Sequence, residues 1–199
     1  MVSPPSALST QLQAVVEELE EARSRALRLV EGLDSALWGM RPGPERWSIA
    51  EQIIHLNLTS KSYVPVIEEA LRRGREQGLT GQGPFRRDFM GWLLGRMIEP
   101  PVRIKTRTTA PFVPPAVESS EAVMREFESW QDELIDLLKE SNGLALNRIQ
   151  VTSSFDSRVR YNLYSCFRIV VAHQRHHLWI GERIQEELAG RSGASQAFL

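Results

Sequence analysis

Apolar positions in the first third of the chain follow one helical seam. Leu8, Leu12, Val15, Leu19, Ala22, Ala26, Leu29 and Leu33 alternate spacings of four and three. That rhythm buries one stripe of a long helix and leaves Glu17, Glu18, Glu20, Glu21, Arg23 and Arg25 largely off it. Gly39, Pro42, Gly43 and Pro44 then end any helix. A second helix is expected from Ser48 to about Arg73, because Ser48 and Glu51 form an S-x-x-E capping box ahead of Ile49, Ile53, Ile54, Val64, Ile67 and Leu71. A third runs from about Ser119 to Ser141 on the stripe Val123, Phe127, Trp130, Leu134 and Leu137, stopped by Asn142-Gly143. The fourth is expected over about Asn162 to Ala189, with Leu163, Phe167, Val170, Ile180, Ile184 and Leu188 inward and Gly190 as its stop. The pattern contains no repeat and no convincing strand pair.

Residues 74–117 break this pattern. Glycines and prolines open and close the stretch, and Phe89 to Leu94 is expected to form a short helix within it. So long a connection functions as a crossover or a cap. It can carry the chain along the bundle, so that the second and third helices run parallel. The expected fold is therefore all-α: one four-helix bundle domain over 1–199, in up-down-down-up order, with a long crossover between helices 2 and 3.

The bulk numbers narrow the function. The chain has 199 residues, 42% of them hydrophobic and 25% charged, which suits a globular domain with a real core. A formal net charge of -1 gives no electrostatic reason to expect a nucleic-acid partner. The lone cysteine, Cys166, excludes an intramolecular disulfide and favours a reducing compartment. The first residues show neither the basic nor the apolar region of a signal peptide, and no apolar run reaches membrane-spanning length. A cytoplasmic protein is expected.

Histidine placement carries the chemistry. Of four histidines, three sit in His173-Gln-Arg-His176-His177 on the fourth helix, and His55 lies in the middle of the second. His173 and His177 share a helix face, about 6 Å apart along the axis. Two imidazoles so placed can converge on an ion at about 2.0–2.1 Å, with His55 as third ligand from a facing helix. His176 could replace His177 as the partner of His173; His177 is preferred and His176 is left to the surface. Cys166 lies about 10.5 Å along the axis from His173, too far to share an ion, and is expected in the core. Glu51 is accounted for by the capping box, so no general acid or base is assigned.

These residues carry a resemblance. Trp47-Ser48-x-x-Glu51-x-x-x-His55-Leu56, Lys105 followed by Pro111-x-x-Pro114, and His173-x-x-x-His177 are similar in order and spacing to the DinB/YfiT-like superfamily of metal-dependent enzymes, from about Leu8 to Leu188. The resemblance implies the four-helix bundle and a divalent metal, zinc or nickel, on His55, His173 and His177. It also implies a homodimer and, in some relatives, thiol S-transfer with low-molecular-weight thiols such as bacillithiol or mycothiol. Three functions follow. The first is a transferase acting on such a thiol, with Arg103, Lys105 and Arg107 available to an anionic substrate. The second is a metal-dependent hydrolase that activates water at an open position. The third is a non-catalytic stress protein whose metal only ties two helices together.

Overall fold

A computed structural model describes residues 7–101 and 108–196. Its order is α1 (Thr10–Val30), α2 (Ser35–Trp38), α3 (Ile49–Glu76), α4 (Phe89–Ile98), a 3-10 turn (Ala110–Phe112), α5 (Ser120–Glu140), β1 (Gln150–Thr152), β2 (Arg160–Asn162) and α6 (Leu163–Gln196). The four expected helices are α1, α3, α5 and α6.

Local chemistry sets their starts. The Ser9 hydroxyl accepts from the Leu12 amide, and the Ser119 hydroxyl accepts from the Ala122 amide. At α3 the capping box is complete: the Glu51 amide donates to Ser48 Oγ at 3.2 Å, and the Ser48 amide donates to Glu51 Oε2 at 2.8 Å. Such a cap contributes about 1 kcal/mol. The α1 seam is buried as expected at Leu12, Val15, Leu19, Ala22, Ala26 and Leu29. After α5, Gly143 at φ +86° reverses the chain in a conformation that a side chain resists.

Each long helix packs on two others, α1 and α3 both lying against α5 and α6. Side-chain partners give the relative course. Glu18 of α1 pairs with Arg168 and Arg175 of α6, and further along Arg25 pairs with Glu182. Asn57 of α3 reaches Val123 and Glu126 of α5, while Arg75 reaches Glu140. In contrast Gln52 meets His177 while His55, further along α3, meets the earlier residue His173, so partners run in opposite senses on α3 and α6.

The core falls into two apolar clusters along the bundle. One gathers Leu12, Val15, Leu19, Ile67, Leu134, Leu138, Phe167 and Val171 among others. The second gathers Ala22, Ala26, Ile49, Ile53, Phe127, Leu178 and Ile184. Between them in sequence on α3, α5 and α6 lie the buried polar residues Asn57, Gln131, Gln174 and His177. Gln131 Nε2 donates to Gln174 Oε1 at 3.0 Å, satisfying that pair inside the bundle.

Three features differ from the sequence expectation. A strand pair is present: β1 and β2 form an antiparallel hairpin with Val151 opposite Tyr161. Helix α6 continues through Gly190 to Gln196; a single glycine costs a helix only about 1 kcal/mol, and Gly190 does not take the positive φ that would end one. The stretch between the second and third helices contains α4 over its full ten residues and the 3-10 turn, and α3 extends to Glu76. Among the described residues no helix is long and apolar enough to cross a membrane.

Candidate metal centre

Helix α3 places His55 nearly fully buried, at 2% exposure, one turn past Glu51 of the capping box. Helix α6 supplies His173 and His177 one turn apart. The three rings converge as the spacing predicts. Ring centroids of His55 and His173 lie 5.1 Å apart, those of His55 and His177 4.4 Å, and those of His173 and His177 4.5 Å. One nitrogen from each ring lies within 4.8 Å of the other two.

Hydrogen bonds fix which nitrogens face inward. His55 Nδ1 donates to the Phe112 carbonyl at 2.7 Å, and His177 Nδ1 donates to Gln52 Oε1 at 2.6 Å. A carbonyl can only accept, so each Nδ1 carries the proton and each Nε2 of the neutral ring keeps a bare lone pair. His55 Nε2 and His173 Nε2 stand 3.3 Å apart. Two nitrogens bound at about 2.0–2.1 Å across a tetrahedral angle would be about 3.4 Å apart. The donor set therefore fits a divalent cation: the Nε2 atoms of His55 and His177 are bare, that of His173 stands at ligand spacing from His55, and the outer nitrogens of His55 and His177 are each held by an acceptor.

The surroundings keep the rings neutral. Burial lowers His55 to about 4, against a smaller upward pull from the Phe112 carbonyl. Burial, with the neighbouring imidazoles, also holds His173 and His177 well below the usual histidine range. Aromatic rings wall the centre. Trp47 lies 5.0 Å from His55 and 6.3 Å from His177, and Phe155 lies 5.6 Å from His173.

His176 is not on the surface, where the sequence left it. It is half-buried, its ring 4.8 Å from that of His177, and its Nδ1 has no hydrogen-bond partner. It stays outside the convergent group because it points from the adjacent residue of the helix. Cys166 is fully buried in the core, and burial pushes its thiol up, away from the reactive thiolate. Glu51 is held by its cap and by Arg41, whose Nε donates to Oε2 at 2.8 Å. Burial works to raise this carboxyl, but Arg41 and Ser48 outweigh it and hold it below its ordinary value. Arg103, Lys105 and Arg107 lie outside the described residues.

Sequence reasoning missed Gln52, the Phe112 carbonyl, and the rings of Trp47 and Phe155. Gln52 had a signal: it sits three residues before His55, on the same face of the helix. The Phe112 carbonyl had none, since any residue carries one.

A helical bundle with three histidines gathered in its interior is the class this chain falls into. Residues 18–180 match the model of the DinB superfamily, and the chain belongs to that superfamily. Its fold is similar to the solved structure of YfiT from Bacillus subtilis, described as a probable metal-dependent hydrolase with an unusual four-helix bundle topology. The two share 14% identity with a TM-score of 0.60, over 94% of each chain. None of the curated proteins compared matches the chain.

Proposed function

We propose that the protein is a divalent-metal-dependent enzyme, with His55, His173 and His177 as ligands and a fourth position left for an exogenous group. The observation that carries this is the inward-facing Nε2 pair at 3.3 Å, with the outer nitrogen of His55 bonded to a carbonyl. Zinc and nickel both suit an imidazole set. A bound ion of this kind supplies Lewis acidity, lowering the pKa of a water or thiol placed in the open position.

The reading preferred for the reaction is S-transfer from a low-molecular-weight thiol to an electrophile. Among the described residues the convergent group holds histidines and no carboxylate. A thiol ionises on a metal without one. In this reading Gln52 and the Phe112 carbonyl orient the ligand rings, and Trp47 and Phe155 exclude water from two sides. Hydrolysis is the second reading, favoured by the description of the similar YfiT structure.

The proposal extends to one domain with up-down-down-up helix order, which the paired contacts of Glu18, Arg25, Asn57 and Arg75 support. It extends also to a cytoplasmic homodimer. The free, buried Cys166 suits a reducing compartment. Phe89, Trp92 and Met97 on α4 offer exposed apolar surface to a second copy.

Two measurements test the metal and the reaction. Metal analysis by mass spectrometry is expected to find about one ion per chain in the wild type and almost none in His173→Ala, with the helical spectrum unchanged. Equal metal in both refutes the ligand assignment. Metal-loaded protein given a panel of thiols with 1-chloro-2,4-dinitrobenzene is expected to consume thiol. Cleavage of nitrophenyl esters without thiol consumption rejects transfer in favour of hydrolysis.

A further inference from the structure

A cavity of about 650 Å³ opens beside the histidine cluster, lined by residues including Leu58, Lys61, Thr109, Phe112 and Phe155. That volume suits a small organic ligand. Two of its lining residues also touch the histidines. Phe112 supplies the carbonyl that holds His55, and Phe155 packs on His173. Their rings lie 4.4 Å apart and form one apolar wall shared by the cavity and the centre.

The described lining also carries a charge. Lys61 is exposed, and among the described residues no carboxylate pairs with it. It lies six residues after His55 on α3, about 9 Å along the helix axis. Ser154, the hydroxyl neighbour, already donates to the Ser62 carbonyl at 3.2 Å. Lys61 is therefore the cationic donor that the described lining offers an incoming ligand. The described lining thus offers one ammonium, which matches the single negative charge of a carboxylate.

We infer that this cavity is the substrate subsite of the centre, and that it selects a small molecule with an apolar body and one carboxylate. The body lies along Phe112 and Phe155, the carboxylate faces Lys61, and the reacting group points back toward the histidines. Lys61 is a specificity-determining residue that binds the far end of the substrate. The inference rests on the metal-enzyme reading for the direction in which the substrate points, but the anion subsite can be tested separately.

The test uses the full chain and 4-phenylbutyrate as probe, with 4-phenylbutanol as its uncharged analogue, followed by titration calorimetry. Wild type is expected to bind the carboxylate more tightly than the alcohol. Lys61→Ala is expected to weaken the carboxylate about fivefold, the worth of one solvent-facing ion pair, and leave the alcohol unchanged. Lys61→Arg is expected to restore the difference. Metal content is measured on each sample, and the lysine effect is expected in His173→Ala as well, which separates it from coordination of the carboxylate by a metal. Equal binding of acid and alcohol, or an unaffected Lys61→Ala, overturns the subsite. Inorganic phosphate that competes as strongly as the carboxylate overturns the single-charge assignment. Metal retained by His173→Ala overturns the metal reading and leaves the lysine result standing.

Discussion

A histidine ligand is only as good as the atom behind it. His177 is turned by Gln52, whose Oε1 accepts its Nδ1 proton at 2.6 Å in a buried setting. Replacing Gln52 by Leu leaves that N–H without a partner, an unmet group costing about 1–3 kcal/mol when buried. The ring is then free to swing, and metal affinity is expected to fall 10- to 100-fold, the range found for such outer partners. Competition with a chromophoric chelator measures this directly; an unchanged affinity would show that Gln52 does not orient the ring. The same residues show what sequence can reveal at this scale. His55, His173 and His177 were legible because the helical period places them and their residue type is rare here. The Phe112 carbonyl was not, because a backbone acceptor leaves no mark in the alphabet and its approach depends on the path of a long connection.

At the scale of elements, the long helices were readable because their apolar stripes repeat over many turns and their caps are side chains. The hairpin β1–β2 was not, since three residues per strand are too few for a period-two signal. Helix α2, four residues long, hid for the same reason. Helix α4 depends on a different device. Gly91 lies so close to α6 that a Cβ added there would come within 2.2 Å of Ser165 Cβ and Oγ. The Ser165 hydroxyl also donates to Asp88 Oδ1 at 3.1 Å, next to the α4 cap. Gly91→Ala must push α4 away from α6 and is expected to cost about 1–3 kcal/mol. Gly181→Ala is a fitting control. It meets chiefly the tip of Leu29, at 2.7 Å, and a side-chain end can turn aside. Urea denaturation of the two variants is expected to give a clearly larger loss for Gly91→Ala; equal losses would mean that the α4–α6 approach is not tight.

Across the whole molecule, the histidines of α6 lie between the stretches that serve the two apolar clusters, and His55 faces them from the end of the second cluster on α3. A cation among them would stabilise the fold, because burial keeps the imidazoles neutral and leaves the bare Nε2 atoms of His55 and His177 facing inward. An ion bound by the folded state alone adds RT ln(1 + [L]/Kd), about 4 kcal/mol at a thousandfold excess over Kd. For a chain of this size that corresponds to a rise in Tm of roughly 8–16 °C. Chelation of metal-loaded wild type is therefore expected to lower Tm by about that much, while His173→Ala, already without metal, is expected to be indifferent to chelator. A wild type that melts at the same temperature with and without chelator would mean that the buried polar residues are held by their own hydrogen bonds, Gln131 with Gln174 and Gln52 with His177, and that the three rings meet without an ion between them.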